Sequence, residues 1–183
     1  MKRIDLLVCT LLSTAIAMVS APDAQAASAT VAKNFQNGLC LVPASTASGA
    51  FLQQGSCTAD ASQLWQVEYV DKLGFNTPGT AYFRLRNKQS DLCADLETAS
   101  ANNGIKLVQR ACSLSTTQQW AAPTQGVFVY ATNTTYPVGE SAKPYQGFSN
   151  RFSGKCIDAP PDTTPVQQWT CGSNNNQRWF IAD

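Results

Sequence analysis

Histidine is absent from this chain of 183 residues. That removes Ser-His-Asp and Cys-His catalysis, and with it the commonest side-chain ligand for a transition metal. Charge is scarce as well. Lys and Arg total 13 against 12 Asp and Glu, so the formal net charge is +1 and only 14% of residues are charged. Such a chain carries no basic footprint for nucleic acid. Long apolar runs are missing too. The one candidate, Leu6 to Val19, is shorter than the ~20 residues that a membrane-spanning helix needs. No two cysteines stand in the close C-x-x-C spacing that structural zinc prefers. No metal, no cofactor and no catalytic residue is expected.

What is present is a repeat. Gln-x-Trp occurs three times, as Gln63-Leu64-Trp65, Gln118-Gln119-Trp120 and Gln177-Arg178-Trp179. Each tryptophan lies eight positions after a cysteine: Cys57, Cys112 and Cys171. An asparagine lies six positions before the other cysteine of each unit, Asn34 before Cys40, Asn87 before Cys93 and Asn150 before Cys156. Self-similarity at a fixed period has to be read before any strand is assigned. Three long units in a short chain point to a closed threefold body. Six cysteines allow fifteen pairings in principle. If each unit is one structural copy, each closes its own bridge: Cys40 with Cys57, Cys93 with Cys112, and Cys156 with Cys171.

The seventh cysteine, Cys9, lies in the N-terminal apolar stretch. Met1-Lys2-Arg3, the run Leu6 to Val19 and the small-x-small triplet Ala24-Gln25-Ala26 together read as a secretory signal peptide over residues 1–26. Cleavage would leave one domain over residues 27–183, with an even set of six cysteines suited to an oxidising compartment. The expected location is extracellular or periplasmic. Asn133-Thr134-Thr135 matches an N-glycosylation acceptor, relevant only in a eukaryotic secretory route.

Short apolar stretches separated by Gly, Asn, Ser and Pro predict an all-β chain. Examples are Phe83–Leu85, Ile105–Val108 and Val127–Tyr130, with a tight turn signalled by Asn103-Gly104. Thr132–Gln146 is expected to be a long surface loop between the second and third units.

The three Gln-x-Trp motifs with their cysteine pairs resemble the ricin-B-type lectin family. Gly154-Lys155-Cys156-Ile157-Asp158 is similar to that family's Gly-Lys-Cys-Leu-Asp signature. The resemblance runs from about Thr30 to the C-terminus. It implies a β-trefoil with pseudo-threefold symmetry, with repeats at about 30–82, 83–146 and 147–183. Within the family the Gln-x-Trp tryptophan is mainly a core residue, so Trp65, Trp120 and Trp179 are expected to pack. That is also the physical default for a large aromatic at a repeated position.

The sugar site has to lie elsewhere in each unit. A sugar needs an aromatic platform for its apolar face, a carboxylate for its hydroxyls and amides that both donate and accept. The family supplies an Asp two after the first cysteine, and a Gln and an aromatic four and two before the second. An Asn precedes the Gln of Gln-x-Trp, which also takes part. The third unit matches throughout, with Asp158, Gln167, Trp169, Asn176 and Gln177. Trp169 is the expected platform. Asp158 and Asn176 are the expected hydroxyl partners, with Gln167 and Gln177 in support. The prolines at 160, 161 and 165 shorten the step from Asp158 to Gln167 and are expected to reshape the pocket floor.

The second unit keeps half of the pattern. Asp95 and Gln118 are in place, but Arg110, Val108 and Thr117 replace the platform, the Gln and the Asn. Asn103, or Asn102, is a candidate to supplement a second site there. In the first unit Val42, Gly55 and Ser62 replace the essential groups, and Gln53 and Gln63 are expected to be structural.

The expected function is that of a secreted lectin, not an enzyme, recognising a galactose- or xylose-like sugar mainly through the third unit. Its partners are then glycans. Two other readings stand beside it. One is the cell-binding subunit of a secreted multi-chain toxin, with a toxin or enzyme partner chain and with Tyr136 and Tyr145 as interface aromatics. The other is a structural or inhibitory trefoil without sugar binding.

Overall fold

The computed structural model describes residues 29–70, 82–121, 147–161 and 165–181. The proposed leader, Val127–Tyr130, Asn133 and the Thr132–Gln146 segment lie outside the described residues.

Twelve strands follow one another, four to a unit. The first unit holds β1 (Ala29–Asn34), β2 (Cys40–Pro43), β3 (Leu52–Gly55) and β4 (Leu64–Tyr69). The second holds β5 (Tyr82–Asn87), β6 (Leu92–Leu96), β7 (Leu107–Ala111) and β8 (Trp120–Ala121). The third holds β9 (Ser149–Asn150), β10 (Cys156–Asp158), β11 (Gln167–Trp169) and β12 (Trp179–Ile181). A single 3₁₀ turn precedes the last strand of each unit, at Ala61–Gln63, Thr116–Gln118 and Asn175–Gln177. Among the described residues no helix is long and apolar enough to cross a membrane.

All ladders are antiparallel. The outer strands of the units lie side by side in the order β12, β1, β4, β5, β8, β9, so unit three returns to pair with unit one. Gly147, just before β9, lies against the Gln177 backbone ahead of β12; a Cβ on it would be 3.6 Å from that carbonyl oxygen. The inner strands form the hairpins β2–β3, β6–β7 and β10–β11. This arrangement is a β-trefoil.

The core is built in threefold layers. Trp65, Trp120 and Trp179 are at most 1% exposed, and each indole N–H donates to the carbonyl of the residue after the unit's first cysteine: Leu41, Ala94 and Ile157. Other buried sets are Leu52, Leu107 and Val166, and Ala32, Leu85 and Phe148. Side-chain size varies within a layer. Ala32 is offset by Phe148, which meets Phe83 edge to face with centroids 5.5 Å apart. A close-packed interior needs the summed volume of a layer, not three equal residues.

The bridges join Cys40 to Cys57, Cys93 to Cys112 and Cys156 to Cys171. Each ties the start of the hairpin's first strand to the chain just beyond its second. The glutamine of each Gln-x-Trp then brackets the second cysteine. Gln63 accepts from Thr58 N and donates to Ser56 O; Gln118 does the same with Ser113 and Ala111, and Gln177 with Gly172 and Thr170.

Two sets of amides fasten unit to unit. The marker asparagines donate across a seam to the carbonyl just before the Gln of Gln-x-Trp. Asn87 reaches Ser62 O, Asn150 reaches Thr117 O, and Asn34 reaches Asn176 O at 2.9 Å, which links the first unit to the last. The second set is Gln54, Gln109 and Gln168, each three residues before the second cysteine and each at most 8% exposed. Their Nε2 groups donate to loop carbonyls of the preceding unit: Pro160 for Gln54, Ser45 and Ala47 for Gln109, Ser100 and Asn102 for Gln168. Buried polar groups must find such partners, and here the partners lie across unit boundaries.

Candidate functional site

β10 and β11 pair with Asp158 opposite Gln167 and Cys156 opposite Trp169. Alternate residues of a strand share a face. Asp158, Gln167 and Trp169 therefore stand together, while Gln168 turns inward and is fully buried. The 3₁₀ turn at Asn175–Gln177 brings two further amides to the same carboxylate.

Asp158 is the centre of the group. It is 5% exposed and lies in a ring of amide N–H donors. Its Oδ1 accepts from Asn176 Nδ2 at 2.6 Å and from Gln177 Nε2 at 3.0 Å, and its Oδ2 accepts from Gln167 Nε2 at 3.0 Å. A carboxylate has about four acceptor positions. Three are used, so Oδ2 retains capacity for one more O–H donor. Beside it Trp169 stays 43% exposed, in contrast to the three buried tryptophans. All five residues expected in unit three are thus contiguous: a wet aromatic face next to an oriented carboxylate. After Asp158 the chain continues through Ala159, which is buried, and Pro160, whose carbonyl is held by Gln54; Asp162 to Thr164 lie outside the described residues.

Unit two is arranged differently. Asp95 is also 5% exposed, and its Oδ2 accepts from Gln118 Nε2 at 3.1 Å. Arg110, at the platform position, folds over it with Nη1 3.6 Å from Oδ2. The guanidinium is fixed there by the carbonyls of Leu96 and Glu97. Asp95 Oδ1 is buried without a hydrogen-bond partner. The arginine thus covers the place where a ring would stack. Asn103, expected beside Asp95, is instead held against unit three. Its Oδ1 accepts from the Thr170 backbone N–H at 2.9 Å and from Thr170 Oγ1 at 3.1 Å. The physical reason is the loop between β6 and β7, which crosses the boundary to meet β11.

Unit one offers no carboxylate at the position of Asp158, where Val42 stands. Val42 and Gly55 occupy the Asp and platform positions and touch; a Cβ on Gly55 would lie 3.2 Å from Val42 Cγ1. A cleft of about 280 Å³ opens there, bordered by Val42, Pro43, Ser45, Thr46, Ser62 and Gln89. Among the described residues no group of His, Cys, Asp and Glu is placed to hold a metal ion.

Residue-by-residue reading of unit three missed the contribution of unit two. Gly104 adopts a left-handed φ of +84°, and a Cβ there would lie 3.8 Å from the Trp169 ring and 4.0 Å from Gln167 Oε1. Lys106 Nζ donates to Gln167 Oε1 at 3.2 Å. The available signal was the glutamine three before each second cysteine, whose regularity marks where each unit grips its predecessor.

The fold and the site geometry can be set beside known proteins. A designed threefold-symmetric protein, ThreeFoil, matches with a TM-score of 0.65 and 24% identity over 85% of this chain and 98% of its own. A Polyporus squamosus lectin, solved with Neu5Acα2-6Galβ1-4GlcNAc, matches at 0.62 and 15% identity over 86% of this chain; this chain spans about half of it, 49%. A chain of the cytolethal distending toxin from Actinobacillus actinomycetemcomitans matches at 0.56 and 18% identity, covering 85% and 90%. At such identities these likenesses speak for the fold alone. No curated protein matches the chain in sequence. The ricin-type beta-trefoil lectin domain-like family matches residues 72–138 and 132–183, more than half of the sequence. Together with three disulfide-closed units around buried Gln-x-Trp tryptophans, that match makes the chain a member of the ricin-type β-trefoil lectin family.

Proposed function

We propose that this protein is a secreted, non-catalytic lectin that holds a single galactose- or xylose-like sugar in its third unit. Membership of a lectin family supports carbohydrate binding in general. The observation that carries the finer reading is Asp158, a buried carboxylate oriented by three amide N–H donors beside the exposed ring of Trp169. The ring takes the apolar face of a pyranose, and Asp158 Oδ2 and Asn176 take its hydroxyls. Contacts this few, made in competition with water, favour a dissociation constant of about 0.1–10 mM, or roughly −3 to −5.5 kcal/mol. Residues 1–26 serve as the leader and 27–183 as the domain in this reading, which three disulfides support.

A glycan array with the wild type, Asp158→Ala and Trp169→Ala tests it. Binding by the wild type alone is the expected outcome. Silence of the wild type, or three identical profiles, would overturn the assignment. A second reading, a cell-binding subunit of a multi-chain toxin, draws only on the likeness to the distending-toxin chain. It predicts co-purification with a partner chain from the native source.

A further inference from the structure

At two unit boundaries the fold sets a residue of one unit against a candidate-site position of the next. The residue six positions before a second cysteine bridges to the residue four positions before the next unit's second cysteine. Phe51 meets Val108 in this way, and Lys106 meets Gln167. The flanking bonds repeat too: Gly49 N and Gly104 N donate to Gln109 O and Gln168 O, and those glutamines donate back to Ala50 O and Ile105 O. At the first of these junctions two apolar residues meet. At the second, the one bordering the complete site, the position holds a lysine.

Lys106 is half-buried, and its ammonium donates to Gln167 Oε1 at 3.2 Å. The other end of the same amide donates to Asp158 Oδ2 at 3.0 Å. Asp158 and Lys106 are therefore separated by one carboxamide, and they form no direct ion pair. Among the described residues no carboxylate pairs with Lys106. An ammonium has three N–H donors, and one is used. The two remaining N–H groups of this half-buried cation can donate charge-assisted bonds to an anion. Asn103 adds a second donor. Its Oδ1 is taken by Thr170, and its exposed Nδ2 has no partner among the described residues. Gly104, between Asn103 and Lys106 in sequence, packs against the Trp169 ring.

We propose that Lys106 of unit two completes the third-unit site and makes it select sugars carrying an anionic substituent, a carboxylate or a sulfate ester. The idea rests on the third-unit reading above: the neutral hydroxyls go to Asp158, and the anionic group goes to Lys106. Lys106 acts as a specificity-determining residue.

Titration of the full chain with methyl β-galactoside, galacturonic acid and galactose 6-sulfate, followed by calorimetry, tests it. The wild type is expected to bind at least one acid about tenfold more tightly than the neutral galactoside, an advantage that shrinks in high salt. The two acid arms tell a carboxylate from a sulfate. Lys106→Gln is expected to bring the acid-to-neutral ratio to about one, and Lys106→Arg to keep it above one. Lys88→Gln, an exposed lysine elsewhere, controls for net charge and should leave the ratio as it is. Equal wild-type affinity for neutral and acidic sugars, or a ratio that survives Lys106→Gln, overturns this inference and leaves the lectin reading intact. Failure of all three sugars to bind overturns this inference and the galactose form of the lectin reading.

Discussion

Four tryptophans occupy two kinds of place. Trp65, Trp120 and Trp179 are sealed in the core, each with its indole N–H bonded to a carbonyl. Trp169 lies on the same strand face as Asp158 and is open to water. Substitution separates the two. Trp179→Ala should cost about 3–5 kcal/mol, the usual range for deleting a buried aromatic. Trp169→Ala should change stability by only about 0.5 kcal/mol, as exposed positions do, while sugar binding falls at least tenfold. Urea denaturation and sugar titration on the same samples check both. This division was legible in sequence because the repeat marks three tryptophans as equivalent and leaves Trp169 as the odd one. Asp158 and its three amides were legible for a similar reason, since cysteines served as fixed rulers. Arg110 was not. Position showed that it replaces a platform, but that its guanidinium would be anchored by the Leu96 and Glu97 carbonyls over Asp95 depends on the shape of a loop.

At the scale of strands and turns, the seams matter most. Asn34, Asn87 and Asn150 began as spacing markers and prove to be fasteners between units. Asn34→Ala and Asn87→Ala should each cost about 1–3 kcal/mol, since each strands buried carbonyls and N–H groups. Only the first should also weaken sugar binding, because Asn34 steadies the backbone of Asn176. Parallel denaturation and titration of the two variants measures that difference. The turn at Gly104 is a second sensitive element. Its φ of +84° excludes a Cβ without strain, so Gly104→Ala should cost at least about 1 kcal/mol and loosen the rim against Trp169. The Asn103-Gly104 pair was readable as a turn; its destination was not. Local sequence reports that a chain bends, whereas the partner across the boundary is set by threefold closure.

For the whole molecule, the three units share a scaffold and differ in equipment. Calorimetry should find one sugar per chain, and the chain alone should not cross-link cells unless copies associate. The bridges span separations of 17, 19 and 15 residues, and the chain-entropy estimate gives about 3 kcal/mol for each. Replacing Cys156 and Cys171 by Ser should therefore lower stability by about that much and also impair binding, because that bridge spans β10 and β11 beside the site. Replacing Cys40 and Cys57 should lower stability alike and spare the affinity of molecules that remain folded. The threefold β plan was visible in the repeat; the inequality of the sites was visible residue by residue. The borrowing between neighbours was hidden, because it joins residues far apart in sequence.

The bond from Asn34 to Asn176, with β1 laid along β12, has a consequence for how the molecule comes into being. β1 finds this neighbour only after β12 has been synthesised. Pairings over such a sequence distance are entropically costly and slow to form. Until β12 is made, the growing chain therefore carries an open strand edge on β1. Because the same asparagine bond props Asn176 beside Asp158, the proposed sugar site is expected to form at that moment and not before. Binding at the proposed site would then report that the circle of strands has shut.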